Sequence, residues 1–330
     1  MPVPGEHKTV QARILQYAQD IGWTFIPRSE AEKRRRFNPD GPNPSEAAKG
    51  ASLYFDELLY SKVREFNPIY NEAPRALSAD LQRLQMNIYG NRDLLKYLRN
   101  QATYFSPEQG RELNLILIDY DHPENNRYEV TEEYAINNGR YGNREDVVFL
   151  INGIPVLVFE CKNANKDEAI ALGIDQIRRY HSENPEIFIP EMVYTVTEAI
   201  GFSYGVTWNT IRRNIFNWKQ EEIGHLEAKI KSFCAIPHVL ELLSQLIIFA
   251  EKDEELQKYI LRQHQTTAVR KVVERCLDPI RRRGLVWHTQ GSGKTFTMIK
   301  AAELLFKAPR AEKPTILVII DRNELEDQML

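Results

Sequence analysis

Cysteine is scarce in this chain: Cys161, Cys234 and Cys276 are the only three in 330 residues, and no two form a CxxC pair. That removes the usual structural-zinc and dithiol-redox patterns, and reduced thiols are expected. No apolar run approaches the ~18 residues of a membrane span, and the stretch from Met1 to Lys8 holds no apolar core of a secretion signal. Net charge is nearly absent as well. With 43 Lys and Arg against 46 Asp and Glu, the formal −3 argues against a uniformly basic nucleic-acid binder but leaves local patches open. Hydrophobic residues at 42% and charged residues at 27% make the chain too apolar for disorder, and its length suggests about two domains. A soluble, cytoplasmic protein without membrane association is expected.

Along the chain, Val10, Ile14, Leu15, Ala18 and Ile21 recur at helical spacing and Gly22 follows as a stop, which predicts a helix over 9–21. A basic cluster from Lys33 to Arg36 precedes Pro39, Pro42 and Pro44, which exclude regular structure. That stretch reads as an exposed basic loop, a solvated face with contact to DNA phosphates as the alternative. Ser45 can cap a helix running to about Phe66. From Leu113 the texture changes to short β-rich runs at 113–120, 128–136, 147–151 and 155–161. A helical stretch over 167–181 follows, then strand-like pieces around 186–197 and 201–207. A mixed α/β domain is predicted over 1–210. Residues 211–259 read as a helical connector, whose apolar stripe of Val239, Leu242, Leu243, Leu246 and Ile247 is too short for a coiled coil. From 260 to 330, a helix, a strand at 284–288, a glycine loop, a helix to about Phe306 and a strand at 315–321 predict the opening of a parallel α/β unit.

The most informative segment runs from Glu145 to Lys162. Asn152-Gly153 between two apolar runs predicts a hairpin, because both residues tolerate positive φ. Glu160 and Lys162 share a face of the second strand by simple alternation. A two-residue turn pairs Asp146 with Phe159 and places it on the opposite face, whereas a three-residue turn pairs it with Val158 and brings all three polar groups together. A shared site therefore predicts a longer turn or a bulge. Two carboxylates and a lysine on one surface suit metal-assisted phosphodiester cleavage, the acids holding Mg²⁺ and the lysine stabilising developing negative charge. The alternative is an ordinary surface Glu–Lys pair near a strand-opening acid.

This pattern resembles the PD-(D/E)xK nuclease superfamily, Asp146 matching its first acid and Glu160-Cys161-Lys162 its ExK, with Glu145 in place of the family's proline. Gln176 and Tyr180 resemble the QxxxY motif of some branches, and at i and i+4 they share a helix face, which the resemblance places beside the DNA backbone. The resemblance implies catalytic roles for Asp146, Glu160 and Lys162, with metal on the two acids. It also implies an extra acid from an early helix, for which Glu6, Asp56 and Glu57 are equal candidates. The implied fold is a restriction-endonuclease-like mixed sheet with flanking helices.

A second site lies at Gly291-Ser292-Gly293-Lys294-Thr295, between the apolar run Leu285 to Trp287 and a helix beginning near Phe296. This is the context of a phosphate loop: backbone N–H groups and the helix N-terminus cradle phosphates, Lys294 reaches the β/γ-phosphates of ATP, and the Thr295 hydroxyl binds Mg²⁺. His288 stands where the full pattern has glycine. Upstream, Arg262 to Gln265 resembles the Q-motif region of superfamily 2 helicases, in which a glutamine reads adenine; Gln265 is the first candidate and Gln263 the second. Asp321-Arg322, with Glu324, Leu325 and Gln328, resembles motif Ia rather than the Asp-Glu of a hydrolytic motif II.

Nuclease, connector and motor in that order resemble the R (restriction) subunits of type I restriction enzymes. The resemblance rests also on the runs Asn126 to Val130, Asn143 to Val148, Phe159 to Asn163 and Trp287 to Thr295. It implies cleavage of double-stranded DNA coupled to ATP-driven translocation, in a complex with methylation (M) and specificity (S) subunits, the last of which reads the target. The alternative is an ATP-dependent repair translocase whose nuclease-like domain only grips DNA. A RecA-like lobe needs on the order of 150 residues, and only 36 follow Lys294 in the 330. A truncated motor that does not turn over ATP alone is thus expected.

Overall fold

In the computed structural model of the chain, the runs predicted between 128 and 207 form one mixed sheet. The structure describes residues 6–39, 50–162, 168–198, 200–218, 225–252, 254–281, 283–308 and 314–319. The predicted Ser45 cap and the motif at Asp321 lie outside them. Two compact units are present, Met1–Ile260 and Leu261–Leu330.

The first unit opens with α1 (Glu6–Asp20), β1 (Thr24–Ile26) and α2 (Arg28–Arg35), followed by α3 (Asp56–Phe66), α4 (Ala76–Gln82) and α5 (Ile88–Leu98). A small hairpin of β2 (Thr103–Ser106) and β3 (Arg111–Asn114) precedes β4 (Tyr128–Asn137), β5 (Gly142–Ile151) and β6 (Ile154–Cys161). Then come α6 (Ala169–Glu183), β7 (Val193–Thr197), β8 (Phe202–Val206) and β9 (Phe216–Asn217). The seven-stranded sheet has the order β1-β4-β5-β6-β7-β8-β9, parallel at β1/β4 and β6/β7 and antiparallel elsewhere. Alternation along β5 and β6 sends Val148, Leu150 and Val158 into a core with Phe55, Ile177 and Tyr180, while Phe149 and Phe159 meet Trp23 and Phe202 on the other face. Both faces are covered, so these strands read as continuous apolar runs.

The β5–β6 turn has two residues, Asn152 (φ 52) and Gly153 (φ 81), the double left-handed geometry that Asn-Gly favours. Gly153 is required for a second reason: a Cβ there would stand 2.8 Å from the Phe55 carbonyl oxygen. The irregularity needed to bring the acids together is a bulge instead of a longer turn. Leu150 pairs with Pro155 but Phe149 with Leu157, so Val156 is the extra residue and the register thereafter aims Asp146 at Glu160.

Four sequence expectations differ from the structure. The basic stretch is not an exposed loop at its start: Lys33 to Arg35 end α2, and Arg35 is buried with its guanidinium on the Ser52 and Ala135 carbonyls. The apolar run 113–120 is strand only to Asn114, yet Leu115, Leu117 and Ile118 are buried. Their backbone is hydrogen-bonded by side-chain amides: Asn67 binds Ile116 at both N–H and carbonyl, Asn100 takes the Leu117 N–H and gives to the Ile118 carbonyl, and Asn152 gives to the Leu117 carbonyl. Asparagine carries both donor and acceptor, so four such residues with Asn126 replace a neighbouring strand. Among the described residues the connector is helical in a 3-10 turn Arg212–Asn214, α7 (Leu226–Phe233), α8 (Ile236–Glu241) and a π-helical turn Leu242–Leu246, and it ends in a hairpin of β10 (Ile247–Lys252) and β11 (Glu255–Ile260). In the second unit, among the described residues, 284–288 and 314–319 form no strand, and Leu285, Trp287, Leu317 and Ile319 are exposed.

Two buried ionisable groups organise the first unit. Lys258 on β11 is fully buried and donates to Asn91 Oδ1 (2.6 Å), the Met192 carbonyl (2.8 Å) and Thr207 Oγ1 (2.8 Å), while burial drives its pKa far down. His181 on α6 stacks on Phe188 with centroids 3.8 Å apart. Its Nε2 accepts from the Trp208 N–H (2.9 Å), so Nδ1 carries the proton and donates to the Ile177 carbonyl (2.8 Å). Burial pushes the His181 pKa down to about 4. The fold thus favours neutral imidazole: its contribution is full above ~6.5, the unfolded value, and is lost as pH falls from there toward the folded value, at up to about 1.4 kcal/mol per pH unit. In an NMR titration the His181 ring is expected to stay neutral until near pH 4; a midpoint near ~6.5 would contradict this.

Candidate active site

Strands β5 and β6 deliver Asp146 and Glu160 to the same end of the sheet, and the chain leaving β6 supplies Lys162. The backbone N–H of Lys162 donates to the Thr197 carbonyl at 2.8 Å, which extends the parallel ladder with β7 and fixes the lysine's starting point. Asp146 Oδ2 accepts from the Cys161 N–H at 2.7 Å. Lys162 Nζ donates to Glu160 Oε1 and, at 2.6 Å, to Gln176 Oε1. Gln176 Nε2 donates to the Tyr180 hydroxyl at 2.8 Å, and that hydroxyl donates to the Arg144 carbonyl at 3.1 Å. Four of the five residues predicted from the first motif, Glu160, Lys162, Gln176 and Tyr180, are therefore joined in one hydrogen-bonded chain, and Asp146 is held beside it by the Cys161 N–H. Gln176 points inward at the lysine, which its Oε1 holds.

Glu160 is 1% exposed and its Oε2 has no hydrogen-bond partner among the described residues. Burial first, and the Asp146 charge second, raise its pKa well above the usual carboxylate range, with Lys162 opposing. Two close carboxylates in a dry site share one need, a proton or a cation. Among the described residues no third acid, histidine or cysteine completes a metal-binding group. Of the early-helix candidates, Asp56 is engaged by Arg36 and by Ser52 Oγ, Glu57 is exposed, and the Glu6 side chain lies outside the described residues.

Sequence reasoning missed a second acidic pair. Glu145 and Glu191 are both buried near Arg35, whose guanidinium lies 3.8 Å from the Tyr134 ring centroid. Burial pushes Glu145 up to about 7, and burial plus the Glu145 charge raises Glu191. Nothing in a lone Glu at 191 announces such a contact 46 residues upstream.

In the second unit, α9 (Gln263–Leu277) and α10 (Lys294–Lys307) flank the glycine loop. Gly291 (φ 73) and Gly293 (φ 79) take left-handed turns, and α10 begins at Lys294, with Thr295 in its first turn. Lys294 Nζ spans the loop to the His288 and Thr289 carbonyls, both at 3.0 Å. Ser292 is buried, and its carbonyl faces His264 Nε2 at 3.1 Å. Gln265 is not turned outward for a base: its Oε1 accepts the Arg262 N–H (2.8 Å), and its Nε2 donates to the Gly293 carbonyl (2.8 Å). A helix-capping position captured the amide, so adenine contact through Gln265 would require these bonds to be exchanged.

The first unit is thus an α/β domain whose mixed sheet carries an acid–acid–lysine cluster. The family described as "Type I restriction enzyme R protein N terminus" matches residues 4–217, and the chain belongs to that family. Residues 264–330 match the SWI2/SNF2 ATPase family. The type I restriction enzyme HindI endonuclease subunit of Haemophilus influenzae is 26% identical over 97% of this chain and 32% of its own length. Type I restriction enzyme endonuclease subunits of Staphylococcus saprophyticus and Staphylococcus aureus (strain COL) are each 27% identical, over 66% and 62% of this chain and 23% and 22% of their own lengths. The chain spans a third or less of these relatives. Among the described residues no helix is long and apolar enough to cross a membrane.

Proposed function

We propose that the first unit is the DNA-cutting domain of a type I restriction subunit, of PD-(D/E)xK type, hydrolysing phosphodiester bonds of double-stranded DNA with Mg²⁺ held by Asp146 and Glu160. The observation that carries this reading is the buried, partnerless Glu160 Oε2 beside a second carboxylate and a tethered lysine. This donor set suits Mg²⁺, a hard cation that keeps several waters and asks for only one or two carboxylates. The cation supplies Lewis-acid polarisation of the phosphate and a more acidic bound water. Lys162, fixed by Glu160 and Gln176, places a positive charge where negative charge develops on the phosphate. Tyr180 sets the Gln176 amide, whose Oε1 in turn aims the lysine. The second unit is proposed to bind ATP through Gly291 to Thr295, with Lys294 moving from its loop carbonyls to the phosphates and Thr295 holding Mg²⁺. The proposed partners are DNA and the M and S subunits.

Substituting Glu160→Gln tests the metal reading. The raised pKa of Glu160 means that its stabilising protonated form is lost as pH rises through the folded value. In chelator the neutral amide is therefore expected to raise the melting temperature increasingly as pH rises, while Mn²⁺ binding measured by calorimetry disappears. Unchanged Mn²⁺ affinity in Glu160→Gln would sink the assignment.

A further inference from the structure

Strand β5 parts from both neighbours at one residue, Asp146. The β4–β5 ladder pairs Glu132 with Val147 and Tyr134 with Glu145 but, among the described residues, contains no Glu133–Asp146 pair. The β5–β6 ladder ends at Val147 and Phe159, one step short of Asp146 and Glu160. Glu133 has φ 54 inside the ten-residue strand β4, a left-handed conformation that costs a non-glycine residue about 1 kcal/mol or more. The side-chain faces change at this point. Val130 pairs with Phe149, which packs on Trp23, whereas Tyr134 and Ile136 lie in the opposite core with Val148. Strict alternation would keep Val130 and Tyr134 on one face. Glu145, opposite Tyr134, lies near Arg35 on the same side as Val148, three residues on, so β5 turns over as well.

Side chains take up what the ladders release. From α1, on the Trp23 face, Gln11 Nε2 donates to the Asp146 carbonyl at 2.6 Å, and Gln11 is itself buried. The Asp146 carboxylate closes the end of β6 by accepting the Cys161 N–H. The Glu133 carboxylate is drawn away to Arg144 Nε at 2.7 Å and toward Arg28 at 3.8 Å. A continued ladder would fix Asp146 against Glu160 at the pleat's own spacing, ~4.5–5.5 Å between Cα atoms. Outside the ladder, Gln11 holds the Asp146 carbonyl and the Cys161 N–H its carboxylate, opposite the left-handed turn at Glu133.

We propose that this ladder break is an orienting device for the first acid: the left-handed turn at Glu133 and the Gln11 hydrogen bond fix the Asp146 backbone so that its carboxylate, seated at the end of β6, shares a divalent cation with that of Glu160. The inference rests on the Mg²⁺ reading of the site, and both residues are positioning residues.

The test is Mn²⁺ binding to the 330-residue chain, followed by electron paramagnetic resonance of the free ion, with a thermal melt of each variant. Glu133→Val, which resists positive φ, and Gln11→Met, which keeps length but donates nothing, are each expected to weaken Mn²⁺ by ~10-fold or more. Glu133→Gly, at ease with positive φ, is expected to restore the affinity that Glu133→Val loses. Equal losses in the Gly and Val variants would overturn the proposal in favour of the Glu133–Arg144 ion pair. Asp146→Asn separates the two levels. Wild-type binding in Asp146→Asn refutes the metal site itself, whereas loss there with unchanged binding in Glu133→Val and Gln11→Met refutes the orienting device alone. If Glu133→Val does not fold, Gln11→Met and Glu133→Gly decide the matter.

Discussion

Lys162→Ala is expected to lower DNA cleavage by the assembled restriction complex by ~10²–10³-fold or more, with ATP hydrolysis and translocation unchanged. The lysine is 15% exposed on its side chain and joins Glu160 to Gln176, so removing it deletes the one cation in this hydrogen-bonded chain. It leaves the ladder contact at its backbone N–H, which alanine keeps. The glycine loop lies in the other compact unit, far along the chain, and carries its own lysine, Lys294. Plasmid linearisation and phosphate release measured on the same sample separate the two activities. Cleavage that survives the substitution removes the nuclease assignment and favours a domain that only grips DNA.

Asn152→Ala is expected to produce the largest loss of stability. Asn152 is fully buried at φ 52, and its side chain accepts from the Arg127 N–H (2.8 Å) and donates to the Leu117 carbonyl (2.8 Å) and Asn126 Oδ1 (2.8 Å). Alanine takes their side-chain partner from the Leu117 carbonyl and the Arg127 N–H, while Asn126 Oδ1 keeps the Asp119 N–H, and is itself poorly suited to the left-handed region. At 1–3 kcal/mol for an unsatisfied group, even partial compensation by water leaves a cost of about 3 kcal/mol. A unit of this size loses roughly 2–4 °C per kcal/mol, so a fall of ~6–12 °C in a calorimetric melt is expected. A change within ~2 °C would show that the amide network is redundant.

The same residue marks how far the fold was legible. Asn152-Gly153 announces a hairpin because few residue pairs accept two positive φ values in sequence, and the chemistry of Asp146, Glu160 and Lys162 then demands a register irregularity, which the bulge at Val156 provides. The position of that bulge is not written in Ile154 to Leu157, all apolar and all compatible with either face. Hydrophobicity likewise reports that Leu115, Leu117 and Ile118 are buried but not what satisfies the backbone of this run, because the partners are asparagines 17 to 49 residues away. Gln265 carries a related ambiguity: an amide able to read adenine is equally able to cap a helix, and the nearer partner holds it here. Leu285 to Trp287 and Ile316 to Ile319 have strand composition but no sheet to join among the described residues.

Lys258 gives the junction between the two units a mechanical character. It lies three positions before Leu261, where the second unit begins, and its ammonium is bonded inside the first unit to α5, to the residue preceding β7 and to the residue following β8. Tension along the chain from Leu261 therefore meets a rivet before it meets slack. To peel β11 away, three hydrogen bonds in a dry site must break, and one of them ends on Met192, just before the strand whose far end holds the backbone of Lys162.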